Sequence, residues 1–288
     1  MGNIKRQTDQ TTPSEFVGKE LRDTLNRHGH PFQNSLIKEI SQLNNLAEWK
    51  IWIPELPVEV QGAHTRIDFV LVNDESNFYL VCECKRSNPA LANWCFVNTL
   101  FKSPHKLFKN SIATTMEKDG GKPVRVGVRE LSPSDDLYQV AIEVKSNKKG
   151  DSGSPGRGQI EEASTQVCRQ LNGLVNFFHK HGPLWEKKKR ISLVPVLFTT
   201  AKLWVSDVDL STAKLESGEL EPPTVPVRLV QWLWYQYHQS PGLKHSVQET
   251  NFPVTDIEDT LFREFMRTIA VVTPAGLKEF LASRRWGY

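Results

Sequence analysis

Apolar and polar positions alternate along two neighbouring stretches of the chain. Arg66-Ile67-Asp68-Phe69-Val70-Leu71-Val72 reads as a strand, and so does Phe78-Tyr79-Leu80-Val81-Cys82-Glu83-Cys84-Lys85. Between them Asn73-Asp74-Glu75-Ser76-Asn77 is a polar segment rich in turn formers. With Asp74 to Asn77 as the loop of a hairpin, Asn73 faces Phe78, and further along the same ladder Asp68 faces Glu83. Side chains alternate along a strand. One face then carries Ile67, Phe69 and Leu71 against Cys84, Cys82 and Leu80, and is wholly apolar. The other carries Val72 and Val70 against Tyr79 and Val81, then Asp68 against Glu83, then Arg66 against Lys85. The run Tyr79 to Cys82 is apolar on both faces, as in a central strand.

Elsewhere the period changes. Residues 29–40 fit a helix, with Pro31 in its first turn and Phe32, Leu36, Ile40 and Leu43 at helical spacing. Gln159 to Phe178 fits a second, with Val167, Leu171, Leu174, Val175 and Phe178 along one stripe. Ser192 to Thr200, Val227 to Tyr235 and Thr268 to Val272 read as strands, and Ala275 to Arg284 as a closing helix. Tyr138 to Lys145 reads as a further strand inserted into the same sheet. The order is mixed α/β, a central sheet flanked by helices. Residues 1–13 are expected to be a loose polar tail and 14–288 a single domain. Within it, 87–134 forms an insertion whose Asn88-Pro89 and Trp94-Cys95-Phe96 wall or cover a cleft, and a strand and helix extend the C-terminus. Gly150 to Gly158 reads as a mobile linker at the cleft mouth. Trp232, Trp234 and Tyr235 could stack bases, but are expected in the core.

The acid-facing register carries the chemistry. Facing Cβ atoms lie ~5 Å apart, and at an effective dielectric near 20 two carboxylates there repel by on the order of 3 kcal/mol. Such a pair asks for a cation. Two carboxylates with open positions suit Mg²⁺ or Mn²⁺, and the backbone carbonyl of Cys84 offers a third oxygen. Lys85 shares the face of Glu83, where its ammonium can orient a hydroxide or stabilise a pentavalent phosphate. A divalent ion acidifies water and neutralises phosphoryl charge, so these are the parts of metal-dependent phosphodiester hydrolysis.

Asp68 followed by Glu83-x-Lys85 on the next strand resembles the PD-(D/E)xK nuclease superfamily, the restriction-endonuclease-like fold. The resemblance implies that Asp68 and Glu83 hold the metal and that Lys85 serves the nucleophile. Ile67 stands where the family commonly has Pro. Its preceding helix often supplies another acid; here that position is Gln33, with Glu39 two turns on as the other candidate. Gln166-x-x-x-Gln170 is similar to a Gln-x-x-x-Tyr that some members carry near the bound phosphate. A rival site is Glu143-x-Lys145, which also ends a strand and directly precedes the Gln166 helix, but lacks a partner acid on a preceding strand. The implied function is a Mg²⁺-dependent nuclease that cuts DNA by metal-activated water, in bacterial genome defence or repair. The alternative is a catalytically inactive nucleic-acid-binding or protein-interaction module on the same fold.

Composition adds little to this picture. The 288 residues carry a net charge of +3, too small to argue for nucleic acid by itself. Lys187-Lys188-Lys189-Arg190, Lys148-Lys149, Arg157 and Arg284-Arg285 are local basic runs that could meet phosphates. There is no zinc-finger, helix-turn-helix or RNP pattern, and no Cys/His spacing suits zinc. Cys82, Cys84, Cys95 and Cys168 point to a reducing, cytoplasmic setting. No apolar run is long enough to span a membrane. A homodimer or a defence-system partner protein stays open.

Overall fold

The computed structural model describes residues 13–43, 48–98, 112–119, 122–131, 137–145, 158–181, 190–220, 224–240, 242, 265–283 and 286. In chain order these form α1 (Pro13–His28), α2 (His30–Gln42), β1 (Trp49–Val60), β2 (Ala63–Asn73), β3 (Phe78–Lys85), β4 (Asn93–Val97), β5 (Ile112–Asp119), β6 (Lys122–Glu130), β7 (Leu137–Tyr138) and β8 (Val140–Val144). There follow α3 (Gln159–Lys180), β9 (Arg190–Thr199), β10 (Lys202–Ser206), β11 (Arg228–Val230), β12 (Trp232–His238), β13 (Met266–Val272) and α4 (Leu277–Leu281). The architecture is mixed α/β. A large mixed sheet runs in the order β1-β2-β3-β9-β13-β12-β7, with the β5–β6 hairpin joined to β9. A second sheet runs β11-β10-β4-β8. No described helix is long and apolar enough to cross a membrane.

The β2–β3 hairpin keeps the register read from the sequence from Asn73↔Phe78 through Leu71↔Leu80 to Phe69↔Cys82, and the ladder ends there, so the expected pairs Asp68↔Glu83 and Arg66↔Lys85 are not formed. Asn73 Oδ1 accepts the Ser76 amide, a side chain fixing its own turn. β1 and β2 close through Gln61-Gly62, both at positive φ (51° and 78°), as a two-residue hairpin of matching twist requires. β1 is an edge strand, which is where Pro54 and Pro57 can be accommodated.

β3 lies between β2 and β9, and pairs with β9 in parallel from Phe78↔Ser192 to Lys85↔Thr199. Such a pairing needs a crossover, and α3 supplies it. Pro195 sits in this central strand where β9's other neighbour changes from β5, ending at Leu193, to β13, starting at Val196. Its missing N–H is therefore tolerable in a gap in the ladder.

Burial on both faces fixes β3 in place. Leu36 and Ile40 of α2 and Phe280 of α4 pack with Phe69, Leu71, Leu80, Cys82 and Phe198. Leu171, Leu174 and Phe178 of α3 pack with Ile67, Val70, Val81 and Leu193. Each such side chain contributes roughly 1.5–3 kcal/mol when fully buried. At Gly173 an added Cβ would lie 2.5 Å from Val58 Cγ2, so glycine lets α3 lie directly on β1.

Several expectations change. Ile67 joins the α3-side cluster, not the Phe69 face, because the regular β2–β3 ladder ends at Phe69↔Cys82 and the strict alternation ends with it. The stretch 138–145 is not one strand of the main sheet: β7 pairs with β12, and β8 pairs with β4 in the second sheet. Likewise Val227 to Tyr235 divides at Gln231 between the two sheets. Trp94 and Phe96 do not cover a cleft; both are fully buried between the second sheet and α3. The 87–134 segment thus feeds both sheets, through β4 and through β5–β6. Trp234 and Tyr235 are buried as expected and Trp232 is partly so. The 150–157 linker and all the basic runs except Arg190 lie outside the described residues.

Candidate active site

Where the β2–β3 ladder stops, Asp68 takes over from the backbone. Its Oδ2 accepts the Cys84 amide at 2.7 Å, and that amide is the peptide linking Glu83 to Cys84. A strand residue's N–H and C=O leave the chain on the same side, so the Cys84 carbonyl is also directed to the β2 side. The hydrogen bond thus brings the Asp68 carboxylate against the peptide that follows Glu83. Glu83, at 4 % exposure, is the buried member.

α3 reaches over this point from above. Gln170, fully buried, donates Nε2 to Glu83 Oε2 at 2.6 Å and to the Arg66 carbonyl at 2.8 Å. One amide thus ties the β3 acid to the β2 backbone. Lys85 Nζ lies 3.0 Å from Glu162 Oε1 in the first turn of α3. Gln166 sits between these two turns of α3, partly buried, and adds no hydrogen bond to the acid pair among the described residues.

α2 approaches from the other side. Gln33, nearly buried, donates Nε2 to Glu55 Oε1 at 2.5 Å and to the Asp68 carbonyl at 3.0 Å. Both partners are acceptors, so the amide nitrogen faces them; the neutral oxygen expected of Gln33 is not what it presents there. Glu55 occupies the β1 position opposite Asp68, between the pairs Pro54↔Phe69 and Leu56↔Ile67. Its φ is +52°, a left-handed backbone uncommon for a side-chain-bearing residue. Arg66 holds its second oxygen at 3.3 Å. Glu39 is not brought to this group: it meets Lys278 of α4 at 3.9 Å.

The electrostatics match a crowded pair. Burial pushes the Asp68 carboxyl up to about 6, against the Cys84 amide, which favours its charge; the charge of Glu55 raises it further. Burial first and then the charge of Asp68 push Glu83 up to about 8, with Gln170 and Lys85 pulling the other way. Unmet negative charge on oxygen donors fits a hard divalent cation. Among the described residues no three His, Cys, Asp or Glu side chains are grouped to hold a metal ion. A cation here would rest on two carboxylates, a backbone oxygen and water, an arrangement usual for Mg²⁺.

The rival motif is differently employed. Glu143 Oε1 accepts the Ile160 amide at 2.8 Å, and so caps α3 where Gly158 at the N-cap offers no side chain. A cavity of about 590 Å³ lies elsewhere, between the β1–β2 turn and the end of α3, lined by His64, Asn176, Phe177 and His181 among others. None of the acid-pair residues lines it.

Sequence reasoning missed Glu55 and Glu162. Glu162 was within reach, since positions 162, 166 and 170 share one helix face. Glu55 was hidden with its strand, because prolines at 54 and 57 mask the alternation. Comparison of the chain with family models, with curated proteins and with solved structures finds no match.

Proposed function

We propose that this chain is a metal-dependent nuclease that hydrolyses phosphodiester bonds of nucleic acid, with DNA as the expected substrate, on a restriction-endonuclease-like core. The observation that carries the reading is the Asp68 carboxylate bonded to the Glu83–Cys84 peptide, with Lys85 one residue on. The order of helix α2, hairpin β2–β3, helix α3 and strand β9 supports the fold assignment. Asp68, Glu83 and the Cys84 carbonyl would hold Mg²⁺ or Mn²⁺. A bound divalent ion supplies an acidified water and neutralises charge on a phosphoryl oxygen. Gln170 fixes the rotamer of Glu83, and burial excludes bulk water from it, which strengthens its attraction for a cation. Lys85 brings an ammonium to the same strand end, where developing negative charge on phosphate is stabilised.

A second reading, an inactive nucleic-acid-binding module, is favoured by Gln33 turning its amide nitrogen toward Asp68 and Glu55. The two separate on linear, circular and single-stranded DNA with Mg²⁺, Mn²⁺ or EDTA. The nuclease reading expects metal-dependent cleavage by wild type, lost in Asp68→Ala and Lys85→Ala with the fold intact. Cleavage retained in both variants refutes it; metal-independent binding without cleavage supports the module.

A further inference from the structure

Lys85 stands two residues from Glu83 on one strand, yet its ion pair is with Glu162. Among the described residues it forms none with Asp68 or Glu83. Its side chain is 20 % exposed, so the ammonium is confined near the site without touching the acids. The flexible four-carbon stem would otherwise let it fold onto Glu83.

The backbone of Glu162 is held independently of Lys85. Its own amide bonds the Gly158 carbonyl. The α3 start is held by Glu143 through the Ile160 amide and by Gln159 Oε1, which accepts the Asn88 amide at 3.0 Å. The held helix start therefore presents the Glu162 carboxylate to Lys85 from α3. An acid pair already neutralised by an internal ammonium is a poor host for a divalent cation, because the incoming ion must displace that charge.

We propose that Glu162 is a positioning residue that holds the Lys85 ammonium off Glu83, keeping the Asp68–Glu83 pair open to a divalent cation. This rests on the metal-site reading above and adds to it a device that stops the site from closing on its own lysine.

The test is Mn²⁺ titration calorimetry on the full chain, comparing wild type, Glu162→Gln, Lys85→Ala and the double variant, each checked for an unchanged melting transition. Glu162→Gln is expected to weaken Mn²⁺ binding by about fivefold, the size of one half-exposed ion pair. In the Lys85→Ala background the same substitution is expected to change nothing, since no ammonium remains to be held. Glu162→Asp should restore part of the affinity. Equal binding by wild type and Glu162→Gln overturns the proposal. So does an equal loss in the Lys85→Ala background, which would mean that Glu162 acts through its own charge. Absence of Mn²⁺ binding in wild type removes the parent metal-site reading together with this one.

Discussion

Glu83-Cys84-Lys85 closes β3, Glu143-Val144 closes β8 with Lys145 just beyond it, and the two tripeptides sit in different surroundings. β3 is paired on both sides, and the strand beside it brings Asp68 to the Glu83–Cys84 peptide. β8 is the end strand of the second sheet, and its Glu143 accepts a helix amide. Glu83 is buried with its acidity displaced far upward by burial and by Asp68. Glu143 is only partly buried. The motif is thus not a property of three residues. A carboxylate becomes a candidate cation ligand when the neighbouring strand supplies a second one and the sheet removes water from both.

The largest effect expected from this contrast is on cleavage. Glu83→Ala should lower the metal-dependent rate by more than roughly 10–100-fold, the usual cost of losing even an outer partner of a metal ligand, while Glu143→Ala, which touches the site only through the start of α3, should have a much smaller effect in a gel assay of plasmid nicking. The reverse pattern would move the site to β8.

A smaller effect is on stability against pH. The folded acidity of Glu83, about 8, lies above its ordinary value of 4.5. Between these values the native chain keeps a proton that the unfolded chain has lost. Stability from this group is therefore full below pH 4.5 and falls as pH rises through 8. Glu83→Gln should remove the Glu83 share of this fall and leave the variant more stable than wild type at pH 8.5. Thermal melts at pH 5 and 8.5 measure this; a parallel pH dependence in both proteins would contradict it.

The smallest effect belongs to the rival glutamate. Glu143→Ala removes the acceptor at the start of α3 and should cost about 1 kcal/mol in chemical denaturation, the usual loss for a helix cap.

The contrast also explains what could be read from the chain. The β2–β3 register was legible because its loop is built of turn formers and its strands alternate over several residues. α2 and α3 were legible from long apolar stripes. The boundaries that failed are those where the chain passes between sheets at one residue, Gln139 and Gln231, with no glycine or proline to mark the step. At Ile67 the alternation rule failed because the ladder had already ended. Within the site, Glu83, Lys85 and Gln170 could be named in advance because strand and helix periods place them, whereas Asp68, named from the same hairpin, reaches the Cys84 amide through its side chain beyond the end of the ladder. Glu55 and Glu162 arrive from β1 and the start of α3, and their proximity is set by tertiary packing, here by Gln33 of α2 and by the capped end of α3.

The central claim is that Asp68 and Glu83 together bind a divalent cation. Calorimetric titration of Mn²⁺ near pH 7 into wild type, Glu83→Gln and Glu143→Gln, in buffers of different ionisation enthalpy, tests it most directly. Binding with proton release is expected in wild type and in Glu143→Gln, since a cation displaces protons from ligands that hold them, and no binding is expected in Glu83→Gln. Undiminished uptake by Glu83→Gln, or loss in Glu143→Gln alone, would contradict the account.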